Sequence, residues 1–412
     1  MKLQQNYGKI VLLFIQNFQM LLNRLILSQI TPYIDHKNAI VITGARQVGK
    51  TSILKKIFAD LPEDQKIWFD FENPLHYKFF EDTNYDAIML RLEARGLNRD
   101  KRAYVFIDEI QNFPDMTKII KYLIDHYQVK FFVTGSASFY LKNLFPESLA
   151  GRKFIFQADP LNFQEFLYFK NIYSQIPATK PSFEDANSNY YQLAYNSLYE
   201  EFKSFGGFPE VVLASSSETK FLILENIFKS FFEQDILRLA DHQNIKEIRD
   251  LLLLLTQRIG SKLNVSQLAN ELGSTRIRIN SYLEFLKATF VIDLIPMFSS
   301  LDNQIGGHKK PYFIDSGLLN LIAKVNEGQL LENTIYNQLK HYGNLSYYSD
   351  KHGREIDFIL NKDTALEVKR KATPHDCHQT SLLASKLKLK KYYLLSEQLS
   401  NVKDSILYPQ CL

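Results

Sequence analysis

The stretch AIVITGARQVGKTSIL, residues 39–54, decides the fold. Its first half is apolar and β-branched and predicts a buried strand over residues 38–43. Its second half, Gly44 to Thr51, fits the pattern G-x-x-x-x-G-K-[ST], and a helix is predicted over residues 50–59. A strand, a glycine-bearing loop and a helix in this order are the context in which such a loop binds phosphate.

The residues of this loop have separate predicted roles. Glycines let the backbone turn so that N–H groups point at phosphate oxygens, and the helix N-terminus adds partial positive charge. Lys50 is expected to reach the β- and γ-phosphates, and Thr51 to place its hydroxyl on Mg²⁺. The predicted phosphate-binding set is Gly44, Ala45, Arg46, Gln47, Val48, Gly49, Lys50, Thr51 and Ser52.

Polar residues are predicted to complete this site from neighbouring strands. Residues 103–109, AYVFIDE, form an apolar strand that ends in two acids, and strand ends of an open α/β sheet face the ligand crevice. Asp108 is expected to hold Mg²⁺ and Glu109 to polarise the attacking water. Ser136 could orient that water, and Arg152 could stabilise transition-state charge in its own or a neighbouring subunit. An ordinary turn and a surface salt bridge explain the last two equally well.

Composition indicates a globular protein of several domains. The chain has 412 residues, of which 45% are apolar and 23% charged, so disorder as the main state is excluded. Lys and Arg number 49 and Asp and Glu 45, and the net charge of +4 is too small to indicate nucleic acid by itself. Two cysteines, Cys377 and Cys411, exclude a disulfide framework and favour the cytoplasm.

The most apolar stretch, residues 11–30, is interrupted by Gln16, Asn17 and Arg24 among other polar residues. Such interruptions are costly in lipid, so an amphipathic helix is predicted rather than a membrane anchor. Met20 is a possible alternative start of translation.

A helical module is predicted after residue 246. Residues 265–273 form a helix and a turn, residues 274–289 a second helix, and residues 290–297 an extended segment. This order is similar to a winged helix-turn-helix, in which Ser274, Thr275, Arg276 and Arg278 would begin the helix that meets DNA. A lid or partner-binding surface is the alternative. The predicted core residues are Leu268, Leu272, Ile277, Tyr282, Leu283 and Leu286.

The C-terminal region predicts a hairpin that carries acids. Strands 354–360 and 365–369 are joined by a short turn, so Asp357 should lie near Glu367, with Lys369 on the same face as Glu367. With Glu332 on a preceding helix, this set resembles the PD-(D/E)xK nuclease core, which implies a metal at Glu332, Asp357 and Glu367 and a catalytic Lys369. A salt-bridged hairpin without catalysis is the alternative.

The ordered motifs together resemble one family, the bacterial and archaeal ATPases that pair an AAA_14 domain with a DUF4143 domain. The resemblance implies an AAA-type ATPase whose Asp108 and Glu109 are the acidic pair, Ser136 the polar strand end and Arg152 the glycine-arginine position. Ala45 stands where proline is more usual, which leaves the phosphate ligands in place. The matching stretches are ITGARQVGKTSIL, VFIDEIQN, VTGSAS, LAGR, PLNFQEFL, FGGFPEVV, the EQDI segment around Asp235, HKKPYFIDSGLLN and ALEVKR.

These observations predict an α/β chain with a P-loop AAA-type ATPase domain (20–165), a linker and helical region (166–245), a winged-helix-like module (246–305) and a restriction-endonuclease-like α/β domain (306–412). ATP and Mg²⁺ are the expected cofactors. Hydrolysis is expected to drive conformational change in DNA-binding or nuclease-like modules. The alternative is a slow or non-hydrolytic switch that binds a protein partner. No membrane association is expected, and an oligomer is possible.

Overall fold

The computed structural model describes residues 21–135, 149–176, 189–233, 242–299, 307–402 and 405–412. They form two compact units, one of the described residues up to Gly44 with Gly49–Ala158, the other of Ala45–Val48 with Asp159–Leu412. Ser136, Asp235 and residues 1–20 lie outside the described ranges, so the predicted N-terminal helix is described only from residue 21. Within these ranges no helix is long and apolar enough to span a membrane.

The first unit alternates strands and helices, as the sequence predicts. Its strands are β1 Ala39–Gly44, β2 Lys66–Asp70, β3 Tyr104–Asp108, β4 Lys130–Gly135 and β5 Lys153–Ala158. Its helices are α1 Leu25–Ile30, α2 Lys50–Asp60, α3 Pro74–Lys78, α4 Tyr85–Ala94 and α5 Met116–Tyr127.

The five strands form one parallel sheet in the order β2-β3-β4-β1-β5. Every residue of β1, β3 and β4 is buried, which explains their nearly continuous apolar sequences. Because all strands run the same way, the carboxyl ends of β1, β3 and β4 meet at one edge of the sheet. The glycine-rich loop, the acidic pair and Thr134 are therefore placed together by topology.

Gly44 marks a close approach at this edge. It pairs with Ala158 of β5, and a Cβ atom added to it would lie 2.1 Å from the Ala158 carbonyl oxygen. Its φ of 149° also lies outside the usual range of L-residues. Only glycine allows the chain to leave β1 here and enter the loop.

The second unit contains ten helices and seven strands in its described parts. Its helices include α6 Phe163–Phe169, α7 Asn189–Phe205, α8 Pro209–Leu213, α9 Ser217–Phe231, α10 His242–Thr256, α11 Val265–Glu271, α12 Arg276–Ala288, α13 Ser316–Ile322, α14 Glu327–Leu339 and α15 Pro374–Lys386. Its strands include β6 Ile292–Pro296, β7 Lys309–Phe313, β8 Leu345–Ser349, β9 Glu355–Leu360, β10 Thr364–Lys369, β11 Lys391–Ser396 and β12 Ile406–Leu407.

Residues 171–200, within the predicted linker and helical region, are rich in Ser, Asn, Tyr and Pro, a composition typical of a loop, but they contain the first part of α7. On one face of this helix, Tyr199 and Phe202 are buried against Phe163. Tertiary packing of aromatic rings thus decides the helix where composition indicated a linker.

The middle of this unit has the predicted order of two helices followed by a strand. Asn264 and Thr275 cap α11 and α12 with their side chains, and β6 pairs antiparallel with β7. We call the β6–β7 pair the wing hairpin. The core prediction was wrong for Ile277, which is 84% exposed because it lies in the first turn of α12, on the face opposite buried Ile279 and Leu283.

The C-terminal strands form a separate sheet in the order β12-β11-β10-β9-β8. Strands β8, β9 and β10 are antiparallel neighbours, and β10, β11 and β12 are parallel. The predicted hairpin is confirmed, with Leu360 opposite Thr364 and Phe358 opposite Leu366. The same register continues toward Asp357 and Glu367.

Two motifs of the chain, FGGFPE and FIDSGLL, interlock at Asp315. Its buried carboxylate accepts hydrogen bonds from the N–H of Gly207 (2.7 Å) and, as the N-cap of α13, from the N–H of Leu318 (2.9 Å). A Cβ atom at Gly206 would lie 2.1 Å from the same carboxylate, and one at Gly317 would lie 2.1 Å from the Phe205 carbonyl oxygen. These motifs therefore serve packing and capping.

Replacement of Asp315 by Asn should change how stability depends on pH. Burial raises the pKa of this carboxyl from 3.8 to about 6. Between about pH 4 and 6 the folded chain keeps a proton that the unfolded chain releases, so its stabilising effect is lost as the pH rises, by up to about 3 kcal/mol. The difference in free energy of unfolding, variant minus wild type, should increase by about that amount from pH 4 to 7 in urea titrations.

The same replacement at the more exposed Asp250 is the control for the loss of a carboxylate. A constant difference for Asp315→Asn would contradict the raised pKa.

Candidate nucleotide site and C-terminal cluster

The loop after β1 has the backbone geometry of a phosphate cradle. It passes through left-handed conformations at Gln47 (φ 58°) and Gly49 (φ 93°), and Gly49 is the N-cap of α2. Lys50 is buried, and its Nζ donates a hydrogen bond to the carbonyl oxygen of Gly44 (3.1 Å). An ammonium group and the first amides of α2 are thus gathered in one loop, as a phosphate site requires.

Asp108 connects three elements at this edge of the sheet. The Thr51 hydroxyl, at the start of α2, donates to Asp108 Oδ2 (2.8 Å). The Thr134 hydroxyl, on β4, donates to Asp108 Oδ1. Thr51 and Asp108, each predicted to hold Mg²⁺, therefore lie within hydrogen-bonding distance of one another, and Thr134 holds the second carboxylate oxygen.

The electrostatics at Asp108 favour a bound cation. Burial raises the pKa of the Asp108 carboxyl, and the neighbouring charges of Glu109 and Asp70 raise it further, while the two hydroxyl groups act in the opposite direction. A divalent cation would offset this excess of negative charge, and the hydroxyl and carboxylate oxygens are hard donors of the kind Mg²⁺ prefers. The residues present therefore fit Mg²⁺.

Glu109 is held in a strained conformation beside this site. Its backbone is left-handed (φ 56°), which costs a non-glycine residue about 1 kcal/mol or more. Its N–H donates to the Thr134 hydroxyl (3.0 Å), and its carboxylate accepts a hydrogen bond from Gln111. The surroundings thus fix the carboxylate of Glu109 at the mouth of the site.

Two further predicted residues differ in outcome. Ser136 lies outside the described residues. Arg152 precedes β5, and its carbonyl accepts from the N–H of Ala39 (2.8 Å), so it lies at the amino end of β1. The phosphate loop follows the other end, about 15 Å or more away along the strand. The prediction that Arg152 serves its own subunit's nucleotide is therefore wrong. Its guanidinium pairs with Asp125 (2.7 Å).

The sequence analysis missed Thr134 and Asp70. Asp70 ends β2 directly opposite Asp108, and its charge contributes to the raised pKa there. Thr134 lies two positions before Ser136, on the strand that separates β3 from β1. The signal that could have found both was the strand order, because it brings the last residues of β2, β3 and β4 into one row.

In the C-terminal region the predicted hairpin residues converge. Asp357 Oδ2 accepts from the N–H of Val368 (2.8 Å), and the N–H of Asp357 donates to Glu367 Oε2 (3.3 Å). Lys369 Nζ forms an ion pair with Glu367 Oε1 (2.7 Å). We call Glu332, Asp357, Glu367 and Lys369 the C-terminal cluster.

Glu332 faces this hairpin from α14. The hydroxyl of Tyr312 donates to Glu332 Oε1 (2.7 Å). Burial and the nearby charge of Asp357 raise the pKa of Glu332, and the same two causes raise the pKa of Glu367. Asp357 therefore lies close enough to repel both Glu332 and Glu367.

The predicted metal geometry is not found in this cluster. In the ranges the structure describes, no group of three or more His, Cys, Asp or Glu side chains is arranged to hold a metal ion. Each acid instead has a protein partner: Tyr312 for Glu332, the Val368 amide for Asp357, and Lys369 for Glu367. The cluster has the predicted members, but in this arrangement it does not fit a metal.

The predicted DNA-facing residues of α12 are partly engaged within the chain. Glu247 of α10 accepts hydrogen bonds from Ser274 (2.9 Å) and Arg278 (3.1 Å). Thr275 caps the helix, and Arg276 is exposed. The cationic surface at the start of α12 is smaller than its two arginines suggest.

The fold and site of the first unit define a class. A parallel sheet in the order 2-3-4-1-5, a G-x-x-x-x-G-K-T loop after β1 and an acidic pair after β3 are the features of a P-loop protein of the AAA type. Residues 36–167 match an AAA domain family, and residues 327–409 match the domain of unknown function DUF4143. The chain therefore carries the two domains whose pairing its motifs indicate, and that resemblance is confirmed. Residues 196–329 also match a domain of unknown function, DUF8612, which the sequence analysis did not predict.

Similar proteins occur in archaea and bacteria. An uncharacterized protein of Methanocaldococcus jannaschii is 29% identical over 331 residues, 78% of this chain and 71% of that protein. One of Haemophilus influenzae is 28% identical over 374 residues, 87% of this chain and 88% of that protein. Among solved structures, Cdc6p from Pyrobaculum aerophilum is 12% identical over 67% of this chain and 89% of that chain, with a TM-score of 0.32.

Replacement of Thr134 by Val should impair any chemistry at this site while sparing nucleotide binding. Valine keeps the shape but removes the hydrogen bonds to Asp108 and from the Glu109 amide. Loss of such a supporting contact typically lowers activity about 10- to 100-fold. We expect kcat for ATP hydrolysis to fall by that factor, with the Kd of a fluorescent ATP analogue changed less than about threefold. Thr256→Val is the control, because Thr256 is a buried threonine of α10 whose hydroxyl donates to the Leu253 carbonyl (2.7 Å) and accepts from the Gln257 side chain (3.4 Å). An equal loss of activity there would contradict the role assigned to Thr134.

Proposed function

We propose that this chain hydrolyses ATP with Mg²⁺ and uses the cycle to reposition its second unit. The observation that carries the proposal is the position of Asp108, whose two oxygens accept from Thr51 and Thr134 directly beside the strained Glu109. A structural turn would have no need for a buried carboxylate with a raised pKa at the mouth of a phosphate loop.

The loop residues bind the substrate in this proposal. The amides from Gly44 to Ser52 and the ammonium of Lys50 hold the phosphates, and Thr51 and Asp108 hold Mg²⁺. When bound, Mg²⁺ neutralises charge that develops on the phosphate oxygens. The loop is proposed to bind only the phosphates, so the selectivity for adenine is a separate part of the proposal.

Glu109 prepares the attacking water. Its carboxylate accepts a hydrogen bond from Gln111 and its backbone is tied to Thr134, so it can orient a water molecule in line with the γ-phosphate. Ser136, if it serves as predicted, would orient the same water. In-line attack then releases phosphate and ADP.

Arg152 is proposed to act between subunits. It lies at the edge of the sheet opposite its own phosphate loop, and its guanidinium is about one-third exposed next to Asp125. In an oligomer it could reach the γ-phosphate held by a neighbouring copy and stabilise transition-state charge there. Because ATP turnover needs the nucleotide pool of the cell interior, the cytoplasm is the proposed location, where Cys377 and Cys411 would stay reduced.

The output of the cycle is proposed to lie in the second unit. The helix-turn-helix order of α11 and α12 with the wing hairpin supports a winged helix that contacts DNA, with Arg276 on its exposed face. The alternative is a nucleotide-dependent switch in which this module binds a protein partner and the C-terminal cluster is not catalytic. The pairing of Arg278 with Glu247 favours that alternative.

A second candidate function, a metal-dependent nuclease, is supported by the convergence of Glu332, Asp357, Glu367 and Lys369. In it the acids would hold a divalent cation and Lys369 would stabilise a hydroxide or phosphate charge. This function requires the cluster to change from its present arrangement.

Replacement of Glu109 by Gln should separate binding from hydrolysis. The amide keeps the size of the side chain but cannot act as a base, so ATP should bind with nearly unchanged affinity while kcat falls at least about 100-fold. Single-turnover hydrolysis and equilibrium nucleotide binding measure the two quantities.

Lys50→Ala is the reference variant, because it removes the ammonium of the loop and should weaken both binding and turnover. Hydrolysis at the wild-type rate in Lys50→Ala would disprove the ATPase proposal. An equal loss of binding in both variants would assign Glu109 to the metal or to the fold.

The nuclease candidate predicts cleavage that depends on Lys369. Plasmid, linear and branched DNA would be incubated with the protein and Mg²⁺ or Mn²⁺, with and without ATP. Cleavage should be lost in Lys369→Ala and kept in Lys386→Ala, whose lysine lies on the adjacent helix α15. If the DNA stays intact under every condition, the partner-binding alternative replaces the nuclease candidate.

A further inference from the structure

A lysine from the wing hairpin is buried at the C-terminal cluster. The side chain of Lys310, on β7, is only 1% exposed, and its Nζ pairs with Glu355 Oε2 (3.2 Å). Its charge also acts on Glu332 and Asp357. A buried ammonium is costly unless acids offset it, so Lys310 and the acids of this cluster stabilise one another.

The hairpin contributes a second contact two residues further along β7. Tyr312 projects to the same face of the strand as Lys310, and its hydroxyl holds Glu332 Oε1 (2.7 Å). The chain before α11 also approaches, because a Cβ atom at Gly260 would lie 2.3 Å from the Glu332 carboxylate. The cluster is therefore built from two halves. The acids come from α14, β9 and β10, and the groups that cover them come from the wing hairpin and the chain before α11.

The covering half is a sheet of its own that is hydrogen-bonded to the elements carrying the acids. The wing hairpin is a two-stranded sheet of its own, whereas Asp357 and Glu367 belong to the five-stranded sheet. Near the edge of that sheet, Phe298 donates its N–H to the Tyr347 carbonyl (2.6 Å), and the Tyr347 hydroxyl donates to the His308 carbonyl (2.9 Å). The hairpin is also held by α14, the helix that carries Glu332, because Asn333 Oδ1 accepts from the Phe313 N–H (2.8 Å) and Asn333 Nδ2 donates to the Phe313 carbonyl (3.0 Å).

The ammonium of Lys310 and a divalent cation would compete for the same charge. Carboxylates that lie near one another attract a cation, and a metal ion placed beside Glu332 and Asp357 would meet the buried positive charge of Lys310. This competition gives a physical reason why the acids are brought together without the geometry of a metal site.

We propose that the wing hairpin is a fixed intramolecular cover of the C-terminal cluster, in which Lys310 is the resident counter-ion and excludes a divalent cation from Glu332 and Asp357. The proposal deepens the nuclease candidate, since it rests on the metal-binding capacity assigned there. Lys310 is a positioning and blocking residue in it, not a catalytic one.

The test measures Mn²⁺ binding by calorimetry, without nucleotide, for the full-length wild type and for full-length Lys310→Met. The variant should bind one Mn²⁺ more than wild type, or bind it at least tenfold more tightly. The gain should vanish in Lys310→Met/Asp357→Asn, which separates this centre from the phosphate loop. Lys262→Met is the matched control, because Lys262 also lies near Glu355 (4.0 Å) but is 37% exposed, and it should behave as wild type.

The outcomes distinguish this inference from the nuclease candidate. The proposed cover is wrong if wild type binds Mn²⁺ as tightly as Lys310→Met does. It is also wrong if Lys310→Met folds but binds no additional Mn²⁺. Lys310→Gln repeats the measurement if the methionine variant does not fold, and Lys310→Arg, which keeps the charge, should stay blocked. Added Mn²⁺ binding without DNA cleavage would remove the nuclease candidate and leave the cover intact.

Discussion

The carboxylate of Asp108 is the constraint around which the first unit is arranged. It is buried at the end of β3, where an isolated charge would be expensive, and the hydroxyls of Thr51 and Thr134 compensate for part of that cost. Those two hydroxyls come from α2 and β4. The position of the Asp108 carboxylate thus fixes how the phosphate loop meets the sheet. Glu109 is the next residue, so its position and its strained backbone follow from that of Asp108.

The two groups of acids in the chain solve the same electrostatic problem differently. At Asp108 the neighbours are neutral hydroxyl groups, which leave net negative charge available to a cation. In the C-terminal cluster the neighbours include Lys369 and Lys310, which already supply positive charge. The residues of the first arrangement fit Mg²⁺, whereas in the second two protein cations already lie beside the acids.

Packing and helix capping account for two of the most distinctive motifs, FGGFPE and FIDSGLL. Gly206, Gly207 and Gly317 permit close contacts around Asp315 and the Phe205 carbonyl, and Asp315 caps α13. A sequence pattern marks positions where substitution is costly, and packing can make it as costly as catalysis. Only the environment of each residue separates the two causes.

The sequence alone determined the phosphate loop, the acidic pair and the C-terminal hairpin, because these depend on local patterns: apolar strands, glycines at a turn and alternation with period two. It could not place Arg152, Asp70, Thr134 or Lys310. Arg152 lies at the far edge of the sheet because β5 runs parallel to β1, and Asp70 and Thr134 join the site through the strand order. Lys310 reaches Glu332 and Glu355 because the wing hairpin packs over them. These relations are contacts between residues distant in sequence, which no local period encodes, so only the tertiary structure decided them.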